Sequence, residues 1–445
     1  MFFFKIQIIY CLLLILITFL TTPLKTEELN DVILDAYNFY PDIKKSLIEF
    51  DNAKKDLTIA KTDFLPSFDL SATQGKDISK SFPDTSNLGV TGINPTTLGV
   101  DLTQPLGASK ILNFKKSKNS LKIAQYENSS VIQNVLFKAI KSYYTVLRNY
   151  FLLDVSKKNE QNIEKKLQAT EKRFEFKDVT RTDVFKAKAR LAEAISNRIE
   201  AENNLEISIS DFRNTVGRNP RINWYDDNKT KVISSNPKDW SKFVDIPKIP
   251  ESLEQSIIIG RANNPEFNKI KLEIENSKID MTSSALNFAP EFSISGSIGK
   301  SLDSSRTVER KDNYSVTAQV NLPIFNKGHN FINVQKSKNT ALTKIKSLET
   351  KNLDLDFQIK SFWKKIESTK SSINSLEISV ESNLIAVDGI TKEAAVGTRT
   401  TIEILDAEKD LTQSESNLVN AQYQLVISSY ELLKQCGLLN FDYLN

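Results

Sequence analysis

One long stretch of this chain is written twice. Thr180–Gly217 aligns with Thr400–Gly437 at a shift of 220 residues without a gap. Thr180/Thr400, Ala187/Ala407, Leu191/Leu411, Ser196/Ser416, Asn197/Asn417, Leu205/Leu425, Ser208/Ser428 and Gly217/Gly437 are identical pairs, and Asp183/Glu403 and Val184/Ile404 are conservative ones. Upstream, Pro41 matches Pro265, Pro66 matches Pro290 and Phe68 matches Phe292, while Leu102–Leu106 echoes Val320–Ile324. A duplicated sequence has to build the same unit twice, so each copy is a check on the other. The expected organisation is a leader over 1–26, a first repeat over 27–220, a Pro-, Asp- and Lys-rich linker over 221–250 with Trp224, Tyr225 and Trp240, and a second repeat over 251–445.

Each copy follows one plan. A proline opens a helix of about 20 residues, Asp42–Phe64 and Glu266–Phe288, because proline suits a first helical turn. Two strands follow. Phe292, Ile294, Gly296 and Ile298 alternate with Ser293, Ser295, Ser297 and Gly299; Tyr314, Val316, Ala318 and Val320 alternate with Ser315, Thr317, Gln319 and Asn321. Phe68, Leu70, Ala72 and Leu98, Val100, Leu102 do the same in the first copy. A period of two puts one face in an apolar medium, which is either a protein core or lipid. Lys76–Pro95 and Ser301–Asp312 read as polar loops, longer than tight turns. Each copy then becomes helical at length: no proline occurs between Pro105 and Pro220 or after Pro323. Ile404, Leu411, Leu418, Leu425 and Leu432 recur every seven residues, as do Val184, Leu191, Leu205 and Phe212, with Arg198 as the exception. Such repeats make coiled-coil seams. Breaks at Lys177–Thr182 and Gly397–Thr401 turn each into a hairpin, with an outgoing arm of about 60 residues, roughly 90 Å at 1.5 Å per residue.

The N-terminus differs in kind. Met1–Lys5 carries one positive charge and Ile6–Leu20 is apolar apart from Gln7 and Thr18, which is the pattern of a secretory signal peptide. An uncleaved anchor is the alternative. With Cys11 removed, Cys436 is the one remaining cysteine, so no intramolecular disulfide is expected. Lys and Arg total 59 against 55 acidic residues, without a basic stripe, so no nucleic-acid partner is expected. The single histidine, His329, has no Cys/His company; no nucleophile elbow or phosphate-binding glycine loop occurs. The chain is therefore read as a non-enzyme without metal or cofactor. If the strands lie in lipid, a four-stranded sheet leaves bare edges at several kcal/mol per unsatisfied group. The chain must then oligomerise into a shared barrel with the Ser/Thr/Gln/Asn faces lining a wet lumen.

The segments that join these elements resemble the TolC-like outer membrane efflux family. Val396-Gly397-Thr398-Arg399-Thr400-Thr401-Ile402-Glu403-Ile404-Leu405-Asp406-Ala407 resembles the family's second hairpin tip, and Arg173–Ala187, with Thr182-Asp183-Val184, its first. Phe64–Phe68 and Phe288–Phe292 resemble its helix-to-strand entries, and Gln104-Pro105-Leu106 and Leu322–Phe325 its strand-to-helix exits. The resemblance implies a mainly α fold with β: two structural repeats, each a β-hairpin plus a coiled-coil helical hairpin. It implies a homotrimer whose 12-stranded β-barrel continues into an α-helical periplasmic tunnel in a Gram-negative cell. The expected role is the exit duct of a tripartite efflux or type I secretion system, served by a periplasmic adaptor and an inner-membrane pump. It further implies a gate at the tips: Arg399 latching onto Thr182 and Asp183, and Glu403 and Asp406 in an acidic ring at the entrance. Ala394 stands where the family's supporting aromatic is usual. A soluble periplasmic coiled-coil adaptor or tether is the competing reading.

Overall fold

The computed structural model describes residues 29–79, 91–221, 244, 246–305 and 308–441. The leader, most of the 221–250 linker and its Trp224, Tyr225 and Trp240 lie outside the described residues. In chain order the elements are α1 (Leu29–Phe39), α2 (Pro41–Thr62), β1 (Ser67–Gln74), β2 (Asp77–Ser79), β3 (Thr91–Ile93), β4 (Thr96–Leu106), α3 (Ala108–Glu175) and α4 (Arg181–Val216). The second copy supplies α5 (Leu253–Asn263), α6 (Pro265–Leu286), β5 (Glu291–Ser305), β6 (Val308–Asn321), α7 (His329–Ala395) and α8 (Thr401–Gln435). The chain divides into two compact units, one of residues 45–128 and 265–352 and the other of 1–44, 129–264 and 353–445.

In the first unit the main sheet runs β1-β4-β5-β6, antiparallel throughout. Its register sorts the side chains by face. Phe68, Leu102, Gly296 and Val316 form one row across the four strands, and Leu70, Val100, Ile298 and Tyr314 the next. Among the described residues this apolar face has no cover: Leu70 is 82% exposed and Val316 85%. Rows of the opposite face read Asp69, Asp101, Ser297, Ser315, with the Ser297 and Ser315 hydroxyls 2.7 Å apart. Two carboxylates directly opposite each other repel, and water is the medium that screens them. One sheet thus presents an uncovered apolar face and a wet one. The polar stretches expected as loops behave differently. Ser301–Ser305 and Val308–Asp312 continue β5 and β6, and Asp77–Ser79 pairs with Thr91–Ile93. Polarity there signalled emergence from an apolar band rather than loss of strand; pairing continues past a register shift between Leu302 and Ser305, with Asp303 at φ 51°.

In the second unit the heptad leucines go where their spacing puts them. Ile404, Leu411, Leu418, Leu425 and Leu432 of α8 are all buried. Val419, Tyr423, Val426, Tyr430 and Leu433 of α8 pack with Leu136, Ile140, Tyr144, Leu147 and Phe151 of α3. Val135, Ala139 and Val146 of α3 meet Phe212 and Val216 of α4 and Val32 and Ala36 of α1. Arg198, the break in the first arm's repeat, holds Glu160 of α3 at 2.5 Å and Glu202 at 2.8 Å. The duplicated end residues have duplicated jobs. Thr180 and Thr400 each cap their returning helix in a capping box. Gly217 and Gly437 each take the left-handed conformation just past the helix, at φ 88° and 70°. A Cβ on Gly217 would sit 2.4 Å from the Phe39 ring, and one on Gly437 2.5 Å from the Asn263 carbonyl oxygen.

The α3–α8 seam is not apolar throughout. Between the Phe151 layer and the Ile163–Leu167–Leu405 cluster lie Asp154, Lys158 and Asn162 on α3 and Glu408 and Glu415 on α8. Glu408 is 4% exposed and accepts one 3.3 Å bond from Asn162. Burial pushes the half-buried Glu415 carboxyl above its ordinary value, against the attraction of Lys158 and with the repulsion of Asp154 and Glu408. A carboxyl raised in the folded state favours folding below its unfolded pKa and costs stability once pH passes the folded value. Glu415→Gln is therefore expected to raise the thermal midpoint at pH 7 by roughly 1–2 °C, a gain that shrinks in melts run towards pH 4.

Candidate functional site

The two hairpin tips sit in the second unit and are built alike. After α3, Lys177 takes φ 61° and Arg173 bonds Asp178 at 2.6 Å. Thr180 then starts α4. The Asp183 carboxylate accepts from the Thr180 amide at 2.9 Å and hydroxyl at 2.7 Å, while the Asp183 amide donates back to the Thr180 hydroxyl at 3.2 Å. These bonds from Thr180 hold the Asp183 carboxyl below the usual carboxylate range. After α7, Gly397 takes φ 81° and Thr400 starts α8. Glu403 Oε1 accepts from the Thr400 hydroxyl at 2.9 Å and amide at 3.3 Å. Its Oε2 takes Arg399 Nη1 at 2.8 Å, and Arg399 Nε reaches Glu393 at 2.9 Å. Arg399, then Thr400, lowers the Glu403 carboxyl.

This sorts the expected gate residues. Asp183 is expected as a latch partner and Glu403 in an acidic ring, yet the two have the same local geometry. Both are the third residue of a capping box, which the Thr-x-x-Asp and Thr-x-x-Glu spacing already spelled out. Arg399 is taken up within its own tip. Among the described residues, no hydrogen bond or ion pair joins it to Thr182, which is exposed, or to Asp183, whose carboxylate is engaged by Thr180. Ala394 is buried, at 2% exposed. His329 is the exposed first residue of α7.

Asp406 has a partner that spacing within one helix could not reveal. Its Oδ1 accepts from Arg190 Nη2 of α4 at 2.8 Å. Arg190 Nη1 also donates to Glu193 at 2.9 Å, and Glu193 lies 3.6 Å from Lys409 of α8. These pairs tie the returning arm of the first hairpin to that of the second. Arg190, Glu193 and Lys409 share a polar cavity of about 470 Å³ with Asn159, Asn197 and Asn420. Among the described residues, no group of three or more His, Cys, Asp or Glu is arranged to hold a metal ion, and no helix is long and apolar enough to cross a membrane.

Comparison with known proteins bears on this directly. The chain is 23% identical over 423 residues to the outer membrane efflux protein BepC of Brucella suis biovar 1, covering 94% of this chain and 87% of that one. It is 23% identical over 426 residues to the outer membrane protein TolC of Escherichia coli K12, covering 94% and 83%. The fold is similar to the crystal structure of the Campylobacter jejuni CmeC outer membrane channel, with a TM-score of 0.80 at 17% identity, over 92% of this chain and 85% of that one. The family model described as outer membrane efflux protein matches residues 33–218 and 260–438, both repeats in order, and the chain belongs to that family.

Proposed function

We propose that this chain is one protomer of a passive outer-membrane exit duct for efflux or secretion. The carrying observation is the sheet: four strands, one polar face, and, among the described residues, one uncovered apolar face and edges at β1 and β6 without a partner. In lipid each unpaired backbone group costs several kcal/mol, so only a closed barrel is tolerated. Three copies would close twelve strands, β1 of one against β6 of the next, with the Asp69–Asp101–Ser297–Ser315 rows turned to a wet lumen. The two helical hairpins of each copy would continue that lumen into the periplasm as a tunnel. Nothing in the role calls for catalysis. A periplasmic adaptor and an inner-membrane pump would deliver cargo to the tips.

The gate lies at the tips in this reading. Arg399 braces the second tip through Glu393 and Glu403, and Thr182 and Asp183 form the first-tip surface against which a second tip closes. Glu403 and Asp406 face the entrance. The soluble adaptor is the weaker alternative, because it would leave a large apolar sheet face in water.

Two outcomes follow. Fractionated cells should hold the protein in the outer membrane as heat-modifiable trimers that carry ion current in planar bilayers; soluble monomers would establish the adaptor instead. Arg399→Ala should raise single-channel conductance severalfold. Because the Glu403 carboxyl is lowered in the folded state, its contribution is complete above the ordinary glutamate value of about 4.3 and is lost as pH falls through the lowered value. Acidification below pH ~4 should therefore open the unaltered channel, and recordings of Arg399→Ala should show a much smaller response.

A further inference from the structure

The entrance carboxylates are not bare. Both oxygens of Glu403 are occupied, one by the Thr400 cap and one by Arg399. Asp406 is held by Arg190, from the other hairpin. The charges then alternate across two helices: Asp406 and Lys409 on α8, Arg190 and Glu193 on α4. Each pair is three apart, so each lies on one face of its helix, and the two faces are complementary and sum to zero charge.

We infer that Arg190 is a clasp that ties the two returning arms together and at the same time masks Asp406. The inference rests on the duct reading and adds to it a selectivity that depends on the state of the gate. An opening that parts α4 from α8 has to break the Arg190–Asp406 pair. Arg190 keeps its second partner, Glu193, on its own helix, whereas Asp406 is left without a cation bonded to it. The carboxylate, half-exposed but charge-paired while the clasp holds, therefore presents an uncompensated charge to the pore once the clasp is released. The closed entrance is charge-compensated and the open one is acidic, and rings of acidic side chains favour cations. Asp406 is half-exposed and Arg190 about a third exposed, so the pair is a weak tie that a docking partner can break.

The test uses purified full-length channels in planar bilayers under a salt gradient, which reports conductance and reversal potential together. Arg190→Ala should raise conductance severalfold and shift the reversal potential towards cation selectivity. Asp406→Asn should also raise conductance but shift the reversal potential the other way. Their double variant should conduct no better than either single one, and Arg190→Asp combined with Asp406→Arg should return conductance towards the unaltered level. A merely structural Arg190 would not move the two reversal potentials in opposite directions. Conductance and selectivity of Arg190→Ala identical to the unaltered channel would overturn the clasp, as would additive single effects, while the duct reading stood. An unaltered protein that carries no current would overturn the duct reading and the clasp with it.

Discussion

Backbone hydrogen bonding at the two edges of one small sheet governs the rest. Inside the chain β4 and β5 have partners on both sides, while β1 and β6 have one each. In water such edges are tolerable; beside an uncovered apolar face that meets lipid they are not. In the proposed duct the remedy is more copies of the same chain, and identical protomers would bring identical helical hairpins with their strands. The hairpins in turn need no apolar outer surface. Their cores are the narrow seams of α3 with α8, of α3 with α4 and of α7 with α8, and much of the rest of their surface is polar.

Duplication explains the symmetry of each hairpin and also where symmetry stops. Both returning helices begin at a capping threonine and end before a left-handed glycine, because a helix reversed at a tight tip needs its first amides and last carbonyls satisfied. The third residue of each box is acidic in both copies, Asp183 and Glu403. Beyond the caps the copies diverge. Arg190 stands in the first arm where the shift of 220 puts Asp410 in the second, and Asp406 in the second corresponds to Lys186 in the first. The tie between the arms therefore joins positions that are not equivalent under the repeat, and among the described residues only one of the two possible pairings is present: Lys186 and Asp410 are the residues that stand in the equivalent places.

Much of this was legible in the residues. The prolines at 41 and 265, the alternation in Phe292–Ile298 and the heptads of α8 each describe a local rule obeyed at many consecutive positions, and the elements form there. Two things were less legible. Ser301–Asp312 is strand although it is polar, because its pattern reflects the medium around the sheet rather than the backbone. Arg190 and Asp406 lie 216 residues apart, and nothing in either helix alone says that their faces meet. The direct bond expected between Arg399 and the first tip needed the same kind of knowledge, and within this chain Arg399 turns to Glu393 and Glu403 instead. Arg198, an exception within its heptad, is explained by Glu160 across the hairpin.

The central claim, that the free edges of the sheet find each other in neighbouring copies, has a direct measurement. A cysteine is placed in β1, Ser71→Cys, and another in β6, Asn313→Cys, on the polar face, and the protein is oxidised in its native membranes. Denaturing gels are then run with and without reductant. Closure of β1 against β6 between protomers predicts covalent dimers and trimers that revert to monomers on reduction and are lost when either cysteine is omitted. Monomers alone, in a protein shown to reside in the outer membrane and scanned at neighbouring β1 and β6 positions, would contradict it.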